Sequence, residues 1–246
     1  MTSRLVRIPS LVTPASSTLI FLHGLGDSGD GWVSLARYLQ VEFPKIFNKT
    51  QFVFPTAPVI NVTVNNNFPM NAWFDLYEFG SSGNFNFESI ENQYPKRDTE
   101  GFIKSLDYIN ELIDEQVNKY GIDPSKIVIG GFSQGAALSL AVSLTAKKKI
   151  GGILSLSGFP VLPIPKAKAL LSDSGAVNLN TPTFHGHGDV DPVIPLMLGR
   201  YSKEYYVHQV GSLTNYTLRE YNGMAHSTCD EELKDIADFL QKVYQD

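Results

Sequence analysis

The chain contains a serine between two glycines, in the sequence Gly131-Phe-Ser-Gln-Gly135. Ser133 follows the apolar run Lys126–Ile129 and precedes the helix-forming run Ala136–Val142. A strand, a tight turn and a helix are the context of a nucleophile elbow, which exposes the serine hydroxyl at a strained turn. Side chains two residues to either side would crowd the strand and the helix, which explains the glycines. The pattern predicts Ser133 as a nucleophile, with an ordinary glycine-rich turn as the alternative.

A serine hydroxyl is a weak nucleophile and needs a base that is itself oriented by a third group. Four histidines follow the serine in the chain: His185, His187, His208 and His226. His226 comes shortly after the strand-like run that ends at Tyr221, and just before the last helical pattern. Ligands bind at the carboxyl ends of strands in open α/β sheets. His226 is therefore the predicted base, whereas His208 falls on a predicted helix, at its surface or partly packed.

The orienting acid is expected between the serine and the histidine, because that is the chain order after a nucleophile elbow. Asp189 and Asp191 both lie there, a few residues beyond the strand-like pair Thr183-Phe184. Either carboxylate could hold an imidazole in the tautomer that a general base requires. The residues alone leave both aspartates open as the acid.

The same segment allows a competing interpretation as a metal site. His185, His187 and Asp189 are spaced like ligands of a metallo-hydrolase, in which imidazole and carboxylate bind zinc. A dinuclear site would want a second histidine directly after the aspartate, where this chain has Val190, and it would leave the serine motif unexplained. The sequence therefore predicts neither a metal nor a cofactor. A commoner role for both histidines is to hydrogen-bond backbone groups of the loop.

A glycine-rich segment, His23–Trp32, follows the strand-like run Thr18–Leu22. By itself it could be a phosphate-binding loop, but it lacks the lysine of a P-loop, and its glycine spacing is weak evidence for a dinucleotide site. Next to a nucleophile elbow it is better interpreted as part of an oxyanion hole. The predicted donors are the backbone N–H of Leu25 and the N–H that follows the nucleophile, on Gln134.

Short apolar runs bounded by glycine or proline alternate with helical patterns along the chain. The helical stripe from Thr99 to Tyr120 ends at Gly121, and the last segment of the chain has a similar stripe. Apolar runs of this kind are typical of buried strands in a mostly parallel sheet, with helices on both faces. We expect a single domain over residues 1–246.

One region, residues 61–96, escapes this alternation and is expected to be an irregular insertion or loop. Its aromatic residues argue against simple disorder and predict that it packs over another part of the molecule. They are Phe68, Trp73, Phe74, Tyr77, Phe79, Phe85 and Phe87.

Composition excludes several classes of function. The net charge of −5 offers no basic excess for phosphates, so nucleic acid is not an expected partner. Hydrophobic residues make up 43 % of the chain, which suits a large buried core. The single cysteine, Cys229, fits a reducing compartment, and no apolar run approaches the length of a membrane-spanning helix. The expected location is the cytoplasm, with the nucleus as a second one.

Taken together, five motifs resemble the acyl-protein thioesterase branch of the α/β-hydrolases, whose members are also described as lysophospholipases and carboxylesterases. The motifs are His23-Gly-Leu-Gly-Asp-Ser-Gly29, Trp73-Phe-Asp75, Gly130-Gly-Phe-Ser-Gln-Gly135, His187-Gly-Asp-Val-Asp-Pro192 and Tyr221-Asn-Gly-Met-Ala-His226. The resemblance implies the α/β-hydrolase fold, with a Ser–His–Asp triad at the carboxyl edge of the sheet. It also implies that the aspartate before proline, Asp191, is the acid. The segment 78–96 looks longer than the usual connection in this family.

The resemblance further implies removal of palmitoyl groups from cysteines of membrane-associated proteins, through a hydrophobic acyl tunnel. S-palmitoylated proteins and lysophospholipids are then the expected substrates, with transient contact with a membrane surface. Four residues are candidates for contact with the acyl chain: Trp73, Phe74, Phe159 and Leu162. A carboxylesterase or lysophospholipase with the same triad is the alternative function, and a catalytically silent binding module is a third. The sequence leaves the oligomeric state open.

Overall fold

The structure is a computed structural model that describes residues 4–77 and 97–245. The strands in these ranges are β1 Leu5–Ile8, β2 Ser17–Leu22, β3 Thr50–Pro55, β4 Val59–Val62, β5 Phe68–Asn71, β6 Ile127–Phe132, β7 Gly152–Leu156, β8 Thr183–Gly188 and β9 Tyr216–Tyr221. The α-helices are α1 Val33–Glu42, α2 Pro44–Phe47, α3 Thr99–Asn118, α4 Gln134–Ala141, α5 Ile164–Asp173, α6 Leu196–Lys203 and α7 Asp230–Gln245. A π-helical segment, Glu204–Gln209, continues α6.

A seven-stranded sheet with the order β1-β3-β2-β6-β7-β8-β9 forms the centre of the molecule. Strand β1 pairs antiparallel with β3, and every other neighbouring pair in this sheet is parallel. The predicted mostly parallel sheet is therefore confirmed. Strand β1 was not predicted, because its four residues at the sheet edge carry no turn signal or clear alternation.

The central strands are buried on both faces of the sheet, which explains why their sequences are continuous apolar runs. In β2, Ile20 and Leu22 join a core cluster that also contains residues of α3 and α4. The alternate residues Leu19 and Phe21 join a second cluster, which contains residues of α1 and α7. Successive side chains of a strand point to opposite faces, so the two clusters lie on the two sides of the sheet. Helices therefore cover both faces, as predicted.

Helix α3 illustrates how local sequence sets the length of an element. The Asp98 carboxylate caps its first turn by accepting the Gly101 N–H at 2.9 Å. Its predicted apolar stripe faces the core, with Phe102 and Leu106 fully buried and Val117, near its end, partly exposed. The chain leaves the helix after Asn118 and passes through Gly121 at φ +68°, a conformation that favours glycine.

The expectation of an irregular segment at 61–96 is wrong for its first part. Strands β4 and β5 form an antiparallel hairpin in which Val62 pairs with Phe68. Asn66 and Asn67 close it at φ 55° and 57°, a conformation that asparagine tolerates better than most residues. The asparagine run was the available signal for a turn, but asparagine is equally common in irregular loops. Residues 78–96, with Phe79, Phe85 and Phe87, lie outside the described residues, and the single-domain organisation stays a prediction.

In the described ranges, none of the helices combines the length and the apolar character that crossing a membrane would require.

A buried carboxyl group lies where α7 packs on the sheet. The Glu232 side chain is fully buried against Gly186 of β8, where a Cβ atom would collide with its Oε1. Neither carboxyl oxygen has a hydrogen-bond partner among the residues that the structure describes. Burial, and secondarily the charge of Asp235, raises the pKa of Glu232 to about 8. The group is therefore neutral in the folded protein at neutral pH.

Glu232 should make the protein less stable as pH rises. Between about pH 5 and pH 8 the unfolded chain has released a proton that the folded protein still holds, so the free energy of unfolding falls by up to about 1.4 kcal/mol per pH unit. Glu232→Gln should flatten this slope in urea denaturation. Glu231→Gln, at the exposed neighbouring position, is the control and should keep the parental slope. An unchanged slope in Glu232→Gln would show that Glu232 is ionised in the folded protein.

Candidate active site

Ser133 occupies the turn between β6 and α4 with φ 55° and ψ −114°. A positive φ is strained for a residue with a side chain and persists only where the surroundings enforce it. Only glycine fits at the two flanking positions. A Cβ on Gly131 would collide with the backbone of Gly135, and a Cβ on Gly135 would collide with the carbonyl of Leu22. The predicted strand, tight turn and helix around Ser133 are therefore confirmed.

His226 is hydrogen-bonded to Asp191, with 2.7 Å between its Nδ1 and Oδ2 of the carboxylate. Because a carboxylate only accepts, Nδ1 carries the proton and Nε2 keeps the lone pair of a general base. The His226 ring also packs on Phe132, with 4.6 Å between the ring centroids. Phe132 directly precedes the serine, so this contact brings the imidazole to the turn.

The Asp191 carboxylate is held by the backbone as well as by the imidazole. Its Oδ1 accepts the N–H groups of Val193 and Ile194, each at 2.8 Å. Burial alone would raise the pKa of this carboxyl, but the hydrogen bonds from His226 and from the two backbone groups outweigh it and hold the pKa below its ordinary value. Asp191 is therefore a carboxylate with a fixed orientation.

Asp189 has a different role. Its Oδ1 accepts the Gly223 N–H at 2.7 Å, and its own N–H donates to the Tyr221 carbonyl at 3.1 Å. It ties together two loops on the exposed side of the sheet edge. Of the two aspartates that the residues left open, Asp191 is the one bonded to His226.

The glycine-rich loop passes directly beside the nucleophile. A Cβ on Gly24 would lie 3.4 Å from the Ser133 Cβ. The preceding His23 is buried, and its Nε2 accepts the Ala57 N–H at 2.9 Å, so its Nδ1–H donates to the Gly24 carbonyl at 2.6 Å. Burial lowers the pKa of His23, which keeps this imidazole neutral. The two bonds fix the backbone on the amino side of Leu25.

Gln134 and Trp73 connect the elbow to this loop. The Gln134 side chain donates to the Phe74 carbonyl at 2.9 Å and accepts the Trp73 N–H at 3.1 Å. The Trp73 indole N–H donates to the His23 carbonyl at 2.9 Å. The sequence predicts only a backbone role for Gln134 and does not indicate these contacts. No local signal could have found them, because the partners are 50 to 61 residues apart in the chain.

Three of the four acyl-chain candidates are packed inside the core. Trp73, Phe74 and Leu162 are at most 3 % exposed. Phe74 contacts the Phe102 ring edge-on, with 5.0 Å between centroids. Phe159 is the candidate with partly exposed surface, and it packs against the same core cluster as the other three.

The predicted strand around Thr183 extends to Gly188, so His185 and His187 lie inside β8 and not in a loop. His185 accepts the Gly158 N–H at 3.1 Å, and His187 Nε2 lies 2.8 Å from the Ile194 carbonyl. Both histidines therefore bond to backbone groups, as in the commoner role, but only His187 does so within its own loop, because the partner of His185 follows β7. In residues 4–77 and 97–245 there is no cluster of three or more histidine, cysteine or acidic side chains that could hold a metal ion. His208 lies exposed on the π-helical segment.

A strained serine after a parallel strand, a histidine–aspartate pair at the same sheet edge and a glycine-rich loop beside them define an α/β-hydrolase. The sequence model of the phospholipase/carboxylesterase family matches residues 5–244, and the chain belongs to this family. The family predicted from the five motifs is thereby confirmed.

Curated relatives and solved structures agree with this assignment. The chain is 46 % identical to acyl-protein thioesterase 1 of Saccharomyces cerevisiae, over 96 % of this chain and 97 % of the relative. It is 44 % identical to acyl-protein thioesterase 1 of Candida albicans, over 98 % and 97 %. The crystal structure of Arabidopsis thaliana SOBER1 is similar with a TM-score of 0.76 at 26 % identity, over 92 % and 98 %. That of Zea mays acyl-protein thioesterase 2 shares the fold with a TM-score of 0.78 at 24 % identity, over 99 % and 100 %.

The two aspartates of this loop should differ sharply on substitution. Asp191→Asn removes the carboxylate that orients His226 and should lower kcat for a p-nitrophenyl ester by roughly 10³- to 10⁴-fold. Asp189→Asn is the matched control, because the asparagine retains an oxygen that can accept the Gly223 N–H. It should change kcat by less than about tenfold. A greater loss in Asp189→Asn than in Asp191→Asn would refute the assignment of the acid.

Proposed function

We propose that this protein is a serine hydrolase that cleaves long-chain acyl thioesters on proteins, with Ser133, His226 and Asp191 as its catalytic triad. The observation that carries the proposal is the 2.7 Å bond between His226 and Asp191 beside a serine held at a strained turn. The family and the relatives named acyl-protein thioesterase 1 support the choice of substrate. Acylated proteins are therefore the proposed partners.

The reaction proceeds through an acyl-enzyme. Ser133 Oγ attacks the thioester carbonyl carbon while its proton passes to His226 Nε2, and Asp191 stabilises the imidazolium that forms. Collapse of the tetrahedral intermediate breaks the carbon–sulfur bond, and the cysteine sulfur leaves as a thiol with the proton from His226. Water, deprotonated by the same imidazole, then attacks the acyl ester. The carboxylic acid is released and the Ser133 hydroxyl is restored.

The N–H groups of Leu25 and Gln134 form the proposed oxyanion hole. Gln134 is the first residue of α4, and an N–H at that position has no acceptor within its own helix. Leu25 is held between Gly24, bonded to His23, and Gly26, whose N–H donates to the Asn71 carbonyl at 2.8 Å. Donors fixed in advance stabilise the developing negative charge without reorganisation.

The acyl chain is proposed to contact Phe159 at the surface, and to contact Trp73, Phe74 and Leu162 once their buried side chains move apart. The backbone groups of Trp73 and Phe74 are hydrogen-bonded to the Gln134 side chain. Leu162 belongs to the same core cluster as Trp73 and Phe74, and Phe159 packs against that cluster. A palmitoyl chain could contribute roughly 10 kcal/mol of burial at about 0.8 kcal/mol per CH₂, before the costs of ordering. Phe159 is the proposed first contact, because it alone of the four is partly exposed.

A carboxylesterase or lysophospholipase activity is the second candidate, because it would use the same triad and the family is described as phospholipase/carboxylesterase. Rates should be compared on a palmitoyl-cysteine peptide, a lysophospholipid and a short p-nitrophenyl ester. A kcat/KM that is highest for the peptide supports the thioesterase. A kcat/KM that is highest for the lysophospholipid or the short ester refutes it in favour of the second candidate.

Ser133→Ala should abolish hydrolysis, with kcat on a p-nitrophenyl ester reduced by 10⁴-fold or more, on the order of the loss of a triad member elsewhere. It should also abolish covalent labelling by a fluorophosphonate, because only an activated hydroxyl forms that adduct. Ser139→Ala is the matched control, because Ser139 lies on α4 with its hydroxyl bonded to the Gly135 carbonyl. Normal turnover by Ser133→Ala would refute the whole proposal.

Transient contact with a membrane surface is part of the proposal, since palmitoylated substrates reside there, and the β4–β5 hairpin is its proposed site. Phe68 and Val59 on this hairpin are 64 % and 63 % exposed. The hairpin also adjoins the active-site loop, because the Asn71 side chain donates to the Asp27 carbonyl at 2.8 Å. A reducing compartment, the cytoplasm or nucleus, fits the single free cysteine, Cys229.

Phe68→Ser should weaken binding to neutral phosphatidylcholine vesicles by about tenfold or more, because a buried phenylalanine contributes roughly 1.5–3 kcal/mol. Co-sedimentation measures this loss, and turnover of a short water-soluble ester should be unchanged. Val41→Ser is the control, since Val41 is 72 % exposed but lies on α1. Equal vesicle binding by both variants would show that the hairpin does not contact the membrane.

A further inference from the structure

His187 lies directly behind the catalytic acid and has no role in the steps described above. Its side chain is fully buried in β8. Its Nε2 is 3.8 Å from Oδ2 of Asp191, the oxygen that accepts the His226 Nδ1–H. The same Nε2 is 2.8 Å from the Ile194 carbonyl. Because a carbonyl only accepts, Nε2 carries a proton that points toward the loop holding Asp191.

Ile194 connects His187 to the acid through the backbone. The Ile194 N–H donates to Asp191 Oδ1, while the Ile194 carbonyl accepts the Nε2–H of His187. The residue is thus held at both its N–H and its carbonyl, and the turn from 191 to 194 is pinned to strand β8. A change at His187 therefore reaches the Asp191 carboxylate through one residue.

Burial keeps the imidazole of His187 neutral, against the effect of most of its neighbours. Burial lowers its pKa, and the nearby charge of His226 acts in the same direction, whereas the hydrogen bond to the Ile194 carbonyl and the charges of Asp191 and Glu220 oppose it. His185 faces it from the same strand, 3.4 Å from its Nδ1, and is itself buried and neutral with a lowered pKa. A neutral ring whose Nε2–H is donated to the Ile194 carbonyl holds the acid loop without adding a charge that would compete with His226 for Asp191.

Helix α6 fixes the ring in this position. A Cβ on Gly199 would lie 2.5 Å from His187 Nδ1, so the helix backbone packs directly on the imidazole. A glycine inside a helix costs roughly 1 kcal/mol relative to alanine, and here it makes room for the ring. On its other side, His185 is bonded to Tyr216, with 2.6 Å between Nδ1 and the hydroxyl oxygen.

We propose that His187 is a positioning residue, which holds the Asp191 loop through the Ile194 carbonyl so that the acid keeps His226 in its reactive orientation. This inference rests on the proposed function. The proposal predicts that substitution of His187 lowers kcat and leaves KM unchanged, because His187 contacts the acid loop and not the candidate acyl site. Displacement of a catalytic group by about 1 Å can cost on the order of 10²-fold in rate.

Two substitutions separate positioning from simple packing. In His187→Gln, the amide nitrogen can take the place of Nε2 and donate to the Ile194 carbonyl, whereas the shorter side chain of His187→Asn cannot reach it. Active sites are counted with a fluorophosphonate, so that kcat refers to folded enzyme only. Per active site, kcat should fall by roughly 10- to 100-fold in His187→Asn, with KM within about threefold, and should largely recover in His187→Gln.

A spectroscopic measurement accompanies the kinetics and needs no turnover. The proton on His226 Nδ1 should give a low-field NMR resonance in the parent and in His187→Gln, and this resonance should shift or disappear in His187→Asn. If His187→Asn does not fold, a folded His187→Gln with kcat more than about tenfold below the parent overturns the proposal.

The proposal is also overturned if His187→Asn keeps the parental kcat per active site and the parental resonance. His187 would then serve only in packing. Failure of the proposed function would give a different result: the parent enzyme would show no turnover, or its turnover would persist in Ser133→Ala. The resonance would still report in that case on the coupling between His187 and His226.

Discussion

The contact between the start of α4 and the end of β2 is the constraint on which the site depends. Gly135 lies so close to the carbonyl of Leu22 that no side chain fits between them. The glycine-rich loop begins at the next residue, His23, so the same contact places that loop beside Ser133. The strained φ of Ser133 is therefore maintained by two strands and a helix, and not by the turn alone. A rigid parallel sheet provides the positional accuracy that a nucleophile requires.

A second layer of hydrogen bonds joins segments that are distant in the sequence. Trp73 is the centre of this layer, because its backbone N–H binds Gln134, its indole N–H binds the His23 carbonyl, and its own carbonyl accepts the Ser105 hydroxyl. Each of these hydrogen bonds is buried, where leaving a polar group unpaired would lower the free energy of unfolding by about 1–3 kcal/mol. These bonds therefore favour a single arrangement of the segments. The elbow, the glycine-rich loop and helix α3 consequently form one unit.

Local signals predicted the parts of the molecule that are locally determined. Glycine positions and hydrophobic periodicity predict the strand, turn and helix around Ser133, the apolar stripe of α3 and the strands of the central sheet other than β1. The choice between Asp189 and Asp191 could not be made from spacing, because both follow the same strand, and only family resemblance favoured Asp191. The contacts of His23, Gln134 and Trp73 were beyond prediction, since they depend on side chains that the fold brings together. The hairpin was not predicted, because Asn65, Asn66 and Asn67 in its turn have the composition of an irregular loop.

The histidines show how one residue type serves two purposes in this site. A neutral imidazole has one donor and one acceptor, so a buried histidine can join two backbone segments, as His23 joins Ala57 to Gly24. Burial lowers the pKa of His23, His185 and His187, which suppresses proton uptake at all three. The surroundings of His226 are different, because its side chain is 16 % exposed and its Nδ1–H donates to the Asp191 carboxylate. The positive charge that develops in the proposed reaction is therefore confined to His226. The buried rings of His23, His185 and His187 stay neutral and hold the surrounding segments in place.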